Sequence, residues 1–183
     1  GFFHSVLGTP IMKGISGGLR TLSGNRIPLW NAFIPVGAKK INTNQLQKAQ
    51  TDKKVVYFPS CINRAMGVSK ENRKEKQLSE KMLELLNKGG FEVIYPENLN
   101  SLCCGMAFSS KGYTDAGIKK SNELEVALLK ASENGKYPVL CDMSPCLFTM
   151  KENMKSGLKL YEPVEFILDH LLSNLEITPM QET

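Results

Sequence analysis

Five cysteines are the side chains of this 183-residue sequence best suited to chemistry. Two of them are adjacent and precede Gly105 in the segment LNSLCCGMAFSSKGY. Thiolates are the preferred ligands of soft metal centres, so thiols gathered in one place indicate an iron–sulfur cluster or zinc. A glycine behind the adjacent pair gives the backbone room to turn sharply. The candidate ligands are Cys61, Cys103, Cys104, Cys141 and Cys146.

Other interpretations of these cysteines stay open. Free cysteine is among the most buried residue types, so each one can simply be a small core residue. The adjacent pair can also form a strained disulfide and take part in thiol exchange. A disulfide framework is disfavoured, because the number of cysteines is odd and the opening GFFHSVLGTP lacks the features of a signal peptide. We therefore expect a reducing compartment, the cytoplasm, including the inner face of the cell membrane.

The elements that must position these thiols follow from the hydrophobic pattern. Four short runs rich in β-branched and aromatic residues predict strands at 55–60, 91–97, 137–143 and 158–163. Amphipathic helical patterns separate them, and the last one covers 164–172. This alternation predicts an α/β domain with a small, mostly parallel four-stranded sheet and flanking helices. Every cysteine falls at or just beyond the end of a predicted strand, the edge where parallel sheets bind ligands.

The first 54 residues have a different character and predict an irregular leader or interdomain linker. They carry eight Lys or Arg against one acidic residue, and they are rich in Gly and Pro. We expect this leader to be extended or loosely helical and to act as an interdomain strap; contact with an anionic membrane surface and a solvated linker are the alternatives. Nucleic acid is not an expected partner, because the basic residues are scattered. The predicted domain spans 55–176, followed by a tail at 177–183.

Three motifs carry a resemblance to a known family. YFPSC ending at Cys61, CCG starting at Cys103 and CDMSPC from Cys141 to Cys146 resemble the cysteine-rich CCG domain. This domain occurs in heterodisulfide reductase B subunits, glycolate oxidase iron–sulfur subunits and bacterial FAD-linked D-lactate dehydrogenases. The leader segment HSVLGTPIMKGISGGLRTLSGNRIPLWN further resembles the link between a ferredoxin-like domain and the CCG domain in the D-lactate dehydrogenase type.

The resemblance implies electron transfer. In such proteins an FAD domain oxidises a 2-hydroxy acid, ferredoxin-like clusters carry the electrons onward, and the CCG domain holds a further iron–sulfur or thiol site near a quinone or another acceptor. The 183 residues contain no C-x₂-C-x₂-C run and no Gly-rich nucleotide fingerprint, so we expect FAD to lie on another domain and this chain alone not to be catalytic. The alternatives are a zinc or vestigial thiol site used for docking, and heterodisulfide-type thiol catalysis.

One departure from the family pattern bears on the ligand set. The family motif usually closes with C-x₂-C, but the residue three positions before Cys146 is Met143, and Cys141 gives a C-x₄-C spacing instead. We therefore expect Cys61, Cys103, Cys104 and Cys146 to form the inner set, with Cys141 less secure, and Met143 to be a core residue.

Weaker candidates lie outside the cysteines. Arg64 follows Cys61 by three residues and is a candidate to stabilise thiolates, although an exposed solubilising role is the alternative. His4 and His170 show no metal-ligand spacing. We expect neither histidine to be a ligand.

Overall fold

The computed structural model describes residues 2–31, 35, 37–41, 51–69, 72 and 74–175. The chain divides into two compact units, one made of 1–40 and 62–77 and the other of 41–61 and 78–183. The predicted tail at 177–183 lies outside the described residues. The domain boundaries at 54 and 176 stay predictions.

The second unit is built on the predicted four-stranded sheet. Its strands are β1 (Lys54–Phe58), β2 (Glu92–Ile94), β3 (Val139–Cys141) and β4 (Leu160–Tyr161). They run in the order β2-β1-β3-β4, and every pair is parallel. In the central pair Val56 lies opposite Val139 and Phe58 opposite Cys141. The predicted α/β class and parallel sheet are confirmed, with strands shorter than the apolar runs that predicted them.

Helices connect the strands and continue from them. They are α2 (Cys61–Ala65), α3 (Leu78–Lys88), α4 (Met106–Ser109), α5 (Thr114–Ala131), α6 (Ser144–Asn153) and α7 (Pro163–Phe166). A 3₁₀ turn occupies Leu99–Ser101. The first long helix of the unit, α3, ends where predicted, because Gly90 has a φ of 80°, a left-handed conformation that glycine tolerates best.

Two core clusters cover the two faces of the sheet. Side chains alternate along β1, so Val56 and Phe58 enter one cluster while Val55 and Tyr57 enter the other. The first cluster contains residues of α5 and α6, and the second contains residues of α3 and α7. All four of these β1 side chains are fully buried, as expected for a central parallel strand covered on both sides.

The last predicted helix differs in its geometry. Only its first turn is α-helical; a π-helical turn follows at Ile167–Leu171 and a 3₁₀ turn at Leu172–Asn174. Phe166 and Leu171 are both fully buried. Residues five apart share a face when the backbone hydrogen bonds span five residues, so the π turn brings both side chains into the same core cluster.

The first unit contains residues 1–40 of the leader, whereas residues 41–54 belong to the second unit. Helix α1 (Phe2–Leu22) is interrupted at Gly8, whose φ of 73° and ψ of 172° are not helical. The chain after α1 folds back on it, because Arg20 donates to the carbonyl of Ile27 at 2.9 Å and the N–H of Trp30 donates to Ser16 Oγ at 3.0 Å. The leader thus combines an interrupted helix with irregular chain. Among the described residues no helix is long and apolar enough to span a membrane.

Candidate functional site

The five cysteines occupy the carboxyl edge of the sheet in the second unit. Cys61 is the first residue of α2, beyond β1, and Cys141 is the last residue of β3. Cys146 lies in the first turn of α6. The adjacent pair, Cys103 and Cys104, lies between the 3₁₀ turn that follows β2 and helix α4. All five are free thiols, although they come from three different crossovers of the chain.

Four of the thiols form a series of close neighbours. Cys103 lies beside Cys61 and Cys104, and Cys104 in turn lies beside Cys146. Cys61 and Cys103 are half-buried, whereas Cys104 and Cys146 are buried. The series therefore runs from the partly accessible side of the cluster into the core.

The fifth thiol, Cys141, stands beside this series. Its Sγ donates to the carbonyl of Met143 at 3.7 Å. It is close enough to Cys104 and Cys61 for their charges to contribute to its pKa. The side chain is completely buried and belongs to the first core cluster.

Burial and contact with neighbouring thiols keep Cys103, Cys104 and Cys141 protonated in the metal-free chain. The hydrogen bond that Cys103 donates to Cys104, together with burial, raises the pKa of Cys103 well above its ordinary value. For Cys104, the bond accepted from Cys103 lowers the pKa, but the bond donated to Cys146 and burial outweigh it and raise the pKa to about 11. Burial raises the pKa of Cys141 to about 12. Protonated thiols at neutral pH are poor nucleophiles.

Backbone amides are directed at the adjacent pair. The Gly105 N–H donates to Cys103 Sγ at 3.4 Å, and the Met106 amide hydrogen-bonds to the thiol of Cys104. Both amides stabilise negative charge on sulfur. They are available here because Gly105 has a φ of 92° and turns the chain from the pair into α4.

Gly105 also allows a close approach of two backbones. A Cβ atom at this position would overlap the carbonyl of Gly117 in α5. Gly117 is itself restricted, because a Cβ there would overlap the side chain of Ser109. These two glycines fix α4 against α5 and thereby place the adjacent thiols.

A buried polar network lies next to the thiols. The carboxylate of Asp142 accepts a hydrogen bond from the Tyr57 hydroxyl at 2.9 Å and one from the Ser60 N–H at 2.7 Å. Asp142 directly follows Cys141, and Ser60 directly precedes Cys61. The network therefore joins the ends of β1 and β3 beneath two of the candidate ligands.

The chemistry of the donor set fits a metal or iron–sulfur centre, since five thiols share one sheet edge and backbone amides hydrogen-bond to three of the sulfurs, those of Cys103, Cys104 and Cys141. Among the described residues, however, no group of three or more His, Cys, Asp or Glu side chains is already arranged so that it could hold a metal ion. The four thiols are in series, so binding requires their side chains to turn toward a common point. That the cysteines are ligands stays a prediction.

Four other residues were weaker candidates. Met143 packs against the first core cluster, as expected of a core residue. His170 packs against the rings of Tyr161 and Phe166 in the second cluster, and its buried Nε2 has no hydrogen-bond partner among the described residues. Arg64 lies in α2, in the part of the helix assigned to the first unit. The side chain of His4 lies outside the described part.

Asp142 and Tyr57 were not identified by the sequence analysis. Neither residue has a strong sequence signal. Asp142 lies within a motif that is interpreted through its two cysteines, and Tyr57 fits the apolar run of a buried strand. A polar hydroxyl in a central strand was the available clue, since a buried phenol usually finds a hydrogen-bond partner.

Comparison with known proteins adds the family. The model of a cysteine-rich domain, CCG, matches residues 55–151, which is more than half of the chain and includes all five cysteines. No curated protein and no solved structure matches the chain. Membership in a cysteine-rich family of this kind suggests a domain related to a metal or an iron–sulfur centre. The chain belongs to the CCG family of cysteine-rich domains.

Proposed function

We propose that this chain is an electron-transfer domain whose thiols hold an iron–sulfur centre. The observation that carries the proposal is the series of neighbouring thiols Cys61, Cys103, Cys104 and Cys146 at the carboxyl edge of the sheet. When bound, such a centre supplies one-electron transfer at a potential that its surroundings set. Cys141 is the candidate for a fifth, peripheral thiol.

The chain's own residues have definite roles in this proposal. The inner four thiols bind the centre after losing their protons, and the amides of Gly105 and Met106 stabilise the resulting negative charge on sulfur. Burial of Cys104 and Cys146 limits access of water to the inner side of the site. Hydrogen bonds to sulfur and restricted solvent access both influence the reduction potential of a bound cluster.

We further propose that the chain works within an FAD-linked oxidoreductase of the D-lactate dehydrogenase or glycolate oxidase type. The support is the resemblance of the motifs at 57–61, 103–105 and 141–146 and of the leader at 4–31. In this proposal FAD and ferredoxin-like domains deliver the electrons, and a quinone or another acceptor receives them. The chain itself is not the dehydrogenase.

The leader is the proposed contact with the neighbouring domain. Ile11, Ile15, Leu19 and Leu22 of α1 are exposed, and their spacing places them on one helix face. We propose that this face packs on the ferredoxin-like domain in the cytoplasm. An anionic membrane surface is the alternative partner, supported by the basic excess of the first 54 residues.

Anaerobic reconstitution with iron and sulfide tests the electron-transfer role. We expect visible charge-transfer absorption and a paramagnetic signal in one oxidation state. Cys104→Ser is expected to abolish most of both signals, whereas the exposed neighbour variant Lys111→Ala is expected to retain them. Full signals in Cys104→Ser, or none in the unaltered chain, would contradict the proposal.

A zinc site is the second candidate function. A structural zinc site has four ligands, and four of the thiols here lie in a series of pairwise contacts. Uptake of one zinc per chain, with no retention of iron and sulfide under anaerobic conditions, would favour a docking role over electron transfer. Thiol–disulfide exchange is less well supported, because the attacking species is a thiolate and burial and thiol contacts raise the pKa of Cys103 and Cys104.

A further inference from the structure

Asp142 is the buried carboxylate nearest in sequence to the thiols. It is 9% exposed, and the two residues that donate to it, Tyr57 and Ser60, are fully buried. Both donor distances, 2.9 Å and 2.7 Å, are those of well-formed hydrogen bonds. Burying a carboxylate costs free energy unless hydrogen-bond donors compensate for the lost water. The buried position of Asp142 therefore depends on these two donors.

The direction of the hydrogen bonds is set by the groups themselves. A backbone amide can only donate, so Ser60 must donate to Asp142. Burial and the neighbouring Asp142 charge raise the pKa of Tyr57 far above its ordinary value, and the phenol therefore stays protonated and donates as well. Asp142 thus accepts from two elements at once while its own backbone continues from β3.

The position of each partner connects this network to the candidate ligands. Ser60 belongs to the turn between β1 and α2, and the next residue is Cys61. Asp142 follows Cys141, whose backbone is the register partner of Phe58 at the end of β1. The backbone pairing of β1 with β3 ends at Phe58 and Cys141. Beyond that pair, the hydrogen bond from Ser60 to Asp142 holds the two segments together.

We propose that Asp142 is a positioning residue that holds the Cys61 turn against the end of β3, so that Cys61 stays beside Cys103 before any metal is bound. This inference rests on the proposed function in one respect only, since the purpose of the positioning is to preorganise thiol ligands. Partners that orient the groups around a metal site commonly affect affinity even though they never touch the metal.

The first test uses the metal-free chain and reads the turn directly by amide hydrogen exchange at Ser60 and Cys61. In Asp142→Ala we expect exchange at these amides to rise about tenfold relative to the core amide of Val139, the effect of losing one buried hydrogen bond. In Asp142→Asn the side-chain carbonyl can still accept from Ser60, so we expect most of the protection to return. Asp169→Asn, an exposed carboxylate of the same unit, is the matched control.

General destabilisation is separated from positioning by two further variants. Leu128→Ala removes a fully buried side chain that is not hydrogen-bonded to the network, and it should raise exchange throughout the core without favouring the turn. Tyr57→Phe keeps the Ser60 bond and should produce a smaller local change than Asp142→Ala, with Tyr113→Phe as its exposed control. If Asp142→Ala does not fold, Asp142→Leu replaces it, because leucine keeps the side-chain volume but cannot accept from Ser60; unchanged exchange at Ser60 and Cys61 in that variant would overturn the positioning role.

A second readout links the turn to the thiols. Mass spectrometry gives the alkylation rate of Cys61 relative to Cys141, and we expect this ratio to rise about tenfold in Asp142→Ala and to be restored in Asp142→Asn. Cadmium titration of the same variants should show weaker binding for Asp142→Ala than for Asp142→Asn. Unchanged exchange and alkylation at 60–61 would overturn the positioning role, whereas failure of the unaltered chain to bind cadmium would overturn the proposed function alone.

Discussion

At the residue scale, Cys104 and Cys141 have different positions among the thiols. Cys104 lies inside the series, between Cys103 and Cys146. Cys141 bonds to the Met143 carbonyl instead. The ligand set therefore has an inner member and a peripheral one, which single substitutions can distinguish.

Cys141→Ser is expected to retain much of the metal that the unaltered chain binds, whereas Cys104→Ser is expected to lose most of it. The reason is that removing an inner thiol leaves an incomplete ligand set, while removing a peripheral one leaves the series intact. Iron, zinc and sulfide analysis after anaerobic loading measures the difference, with circular dichroism to confirm folding. Equal losses in the two variants would place Cys141 in the inner set.

The raised thiol pKa values predict how alkaline pH acts on the metal-free chain. The pKa of Cys104 rises from 9.0 to about 11 and that of Cys141 from 9.0 to about 12, so the folded state binds these protons more tightly than the unfolded state. The stability from these protons is fully present below about pH 9 and is lost as the pH rises toward 11–12. Urea unfolding at pH 7.5, 9 and 10.5 should show a falling free energy of unfolding.

Metal binding should show the opposite dependence on pH. Because thiol ligands must lose their protons, affinity for zinc should increase as the pH rises from 6 to 8, with proton release measurable in a weakly buffered titration.

The same protonation states predict the alkaline unfolding of two variants. The metal-free Cys104→Ser and Cys141→Ser variants should lose part of the alkaline sensitivity of the free energy of unfolding. An unfolding free energy that stays constant up to pH 10.5 in the unaltered chain would contradict the assigned protonation states.

At the element scale, the contact between α4 and α5 decides where the adjacent thiols lie. It depends on Gly105 and Gly117, neither of which has space for a side chain. Gly105→Ala meets both a left-handed φ of 92° and overlap with the Gly117 backbone. We expect a loss of about 2–5 kcal/mol in the free energy of unfolding, from left-handed strain and overpacking together.

Gly112→Ala is the matched control for this substitution. Gly112 has a similar φ of 84°, but no atom of the described part of the chain lies within 4 Å of a Cβ placed there. We therefore expect a loss of only about 1–2 kcal/mol, from the left-handed conformation alone. Chemical denaturation of both variants gives the difference. Equal losses would show that the close approach of α4 and α5 contributes nothing.

The sequence allowed most elements to be predicted, for identifiable physical reasons. The strand containing Val55 to Phe58 and the helix ending before Gly89 have strong local signals, an uninterrupted apolar run and an amphipathic stripe with a glycine stop. The π turn at Ile167–Leu171 has no such signal, because it depends on Phe166 and Leu171 both reaching the same core. Local periodicity cannot anticipate a spacing that tertiary packing selects.

The same distinction holds for the site. The alternation of strands and helices predicts that every cysteine lies at or after the end of a strand. The parallel sheet then brings the carboxyl ends of these strands to one edge. The order of the thiol contacts and the Asp142 network depend on side-chain positions across three crossovers. Those positions arise from the packed structure, so spacing in the sequence could not give them.

At the scale of the whole molecule, the exposed face of α1 is expected to contact the domain that delivers electrons. Replacing Ile15 and Leu19 with serine in the proposed oxidoreductase should weaken that contact, because serine cannot replace the apolar area that both side chains would bury there. Limited proteolysis of the leader should become faster. The exposed double substitution Thr21→Ala with Asn25→Ala, also in the leader, is the control.

A vesicle-binding experiment tests the alternative partner of α1, an anionic membrane surface. Binding of the chain to vesicles of phosphatidylcholine with one quarter phosphatidylglycerol, lost in the Ile15 and Leu19 variant, would favour a membrane surface. If the substitutions leave proteolysis of the full-length protein unchanged and the chain does not bind vesicles, the leader is a solvated linker. That result would contradict its proposed role as an interdomain strap. These results concern the leader and do not affect the thiol site.

The central claim is that the thiols of the CCG domain hold an iron–sulfur centre, and the content of metal and sulfide tests it most directly. The full-length protein should be isolated without exposure to oxygen and compared with its Cys104→Ser variant for iron, acid-labile sulfide and zinc. The account predicts that the unaltered protein contains more iron and sulfide than any ferredoxin-like clusters on its proposed further domains require, and that Cys104→Ser loses this excess. Identical iron and sulfide contents in the two proteins would contradict it.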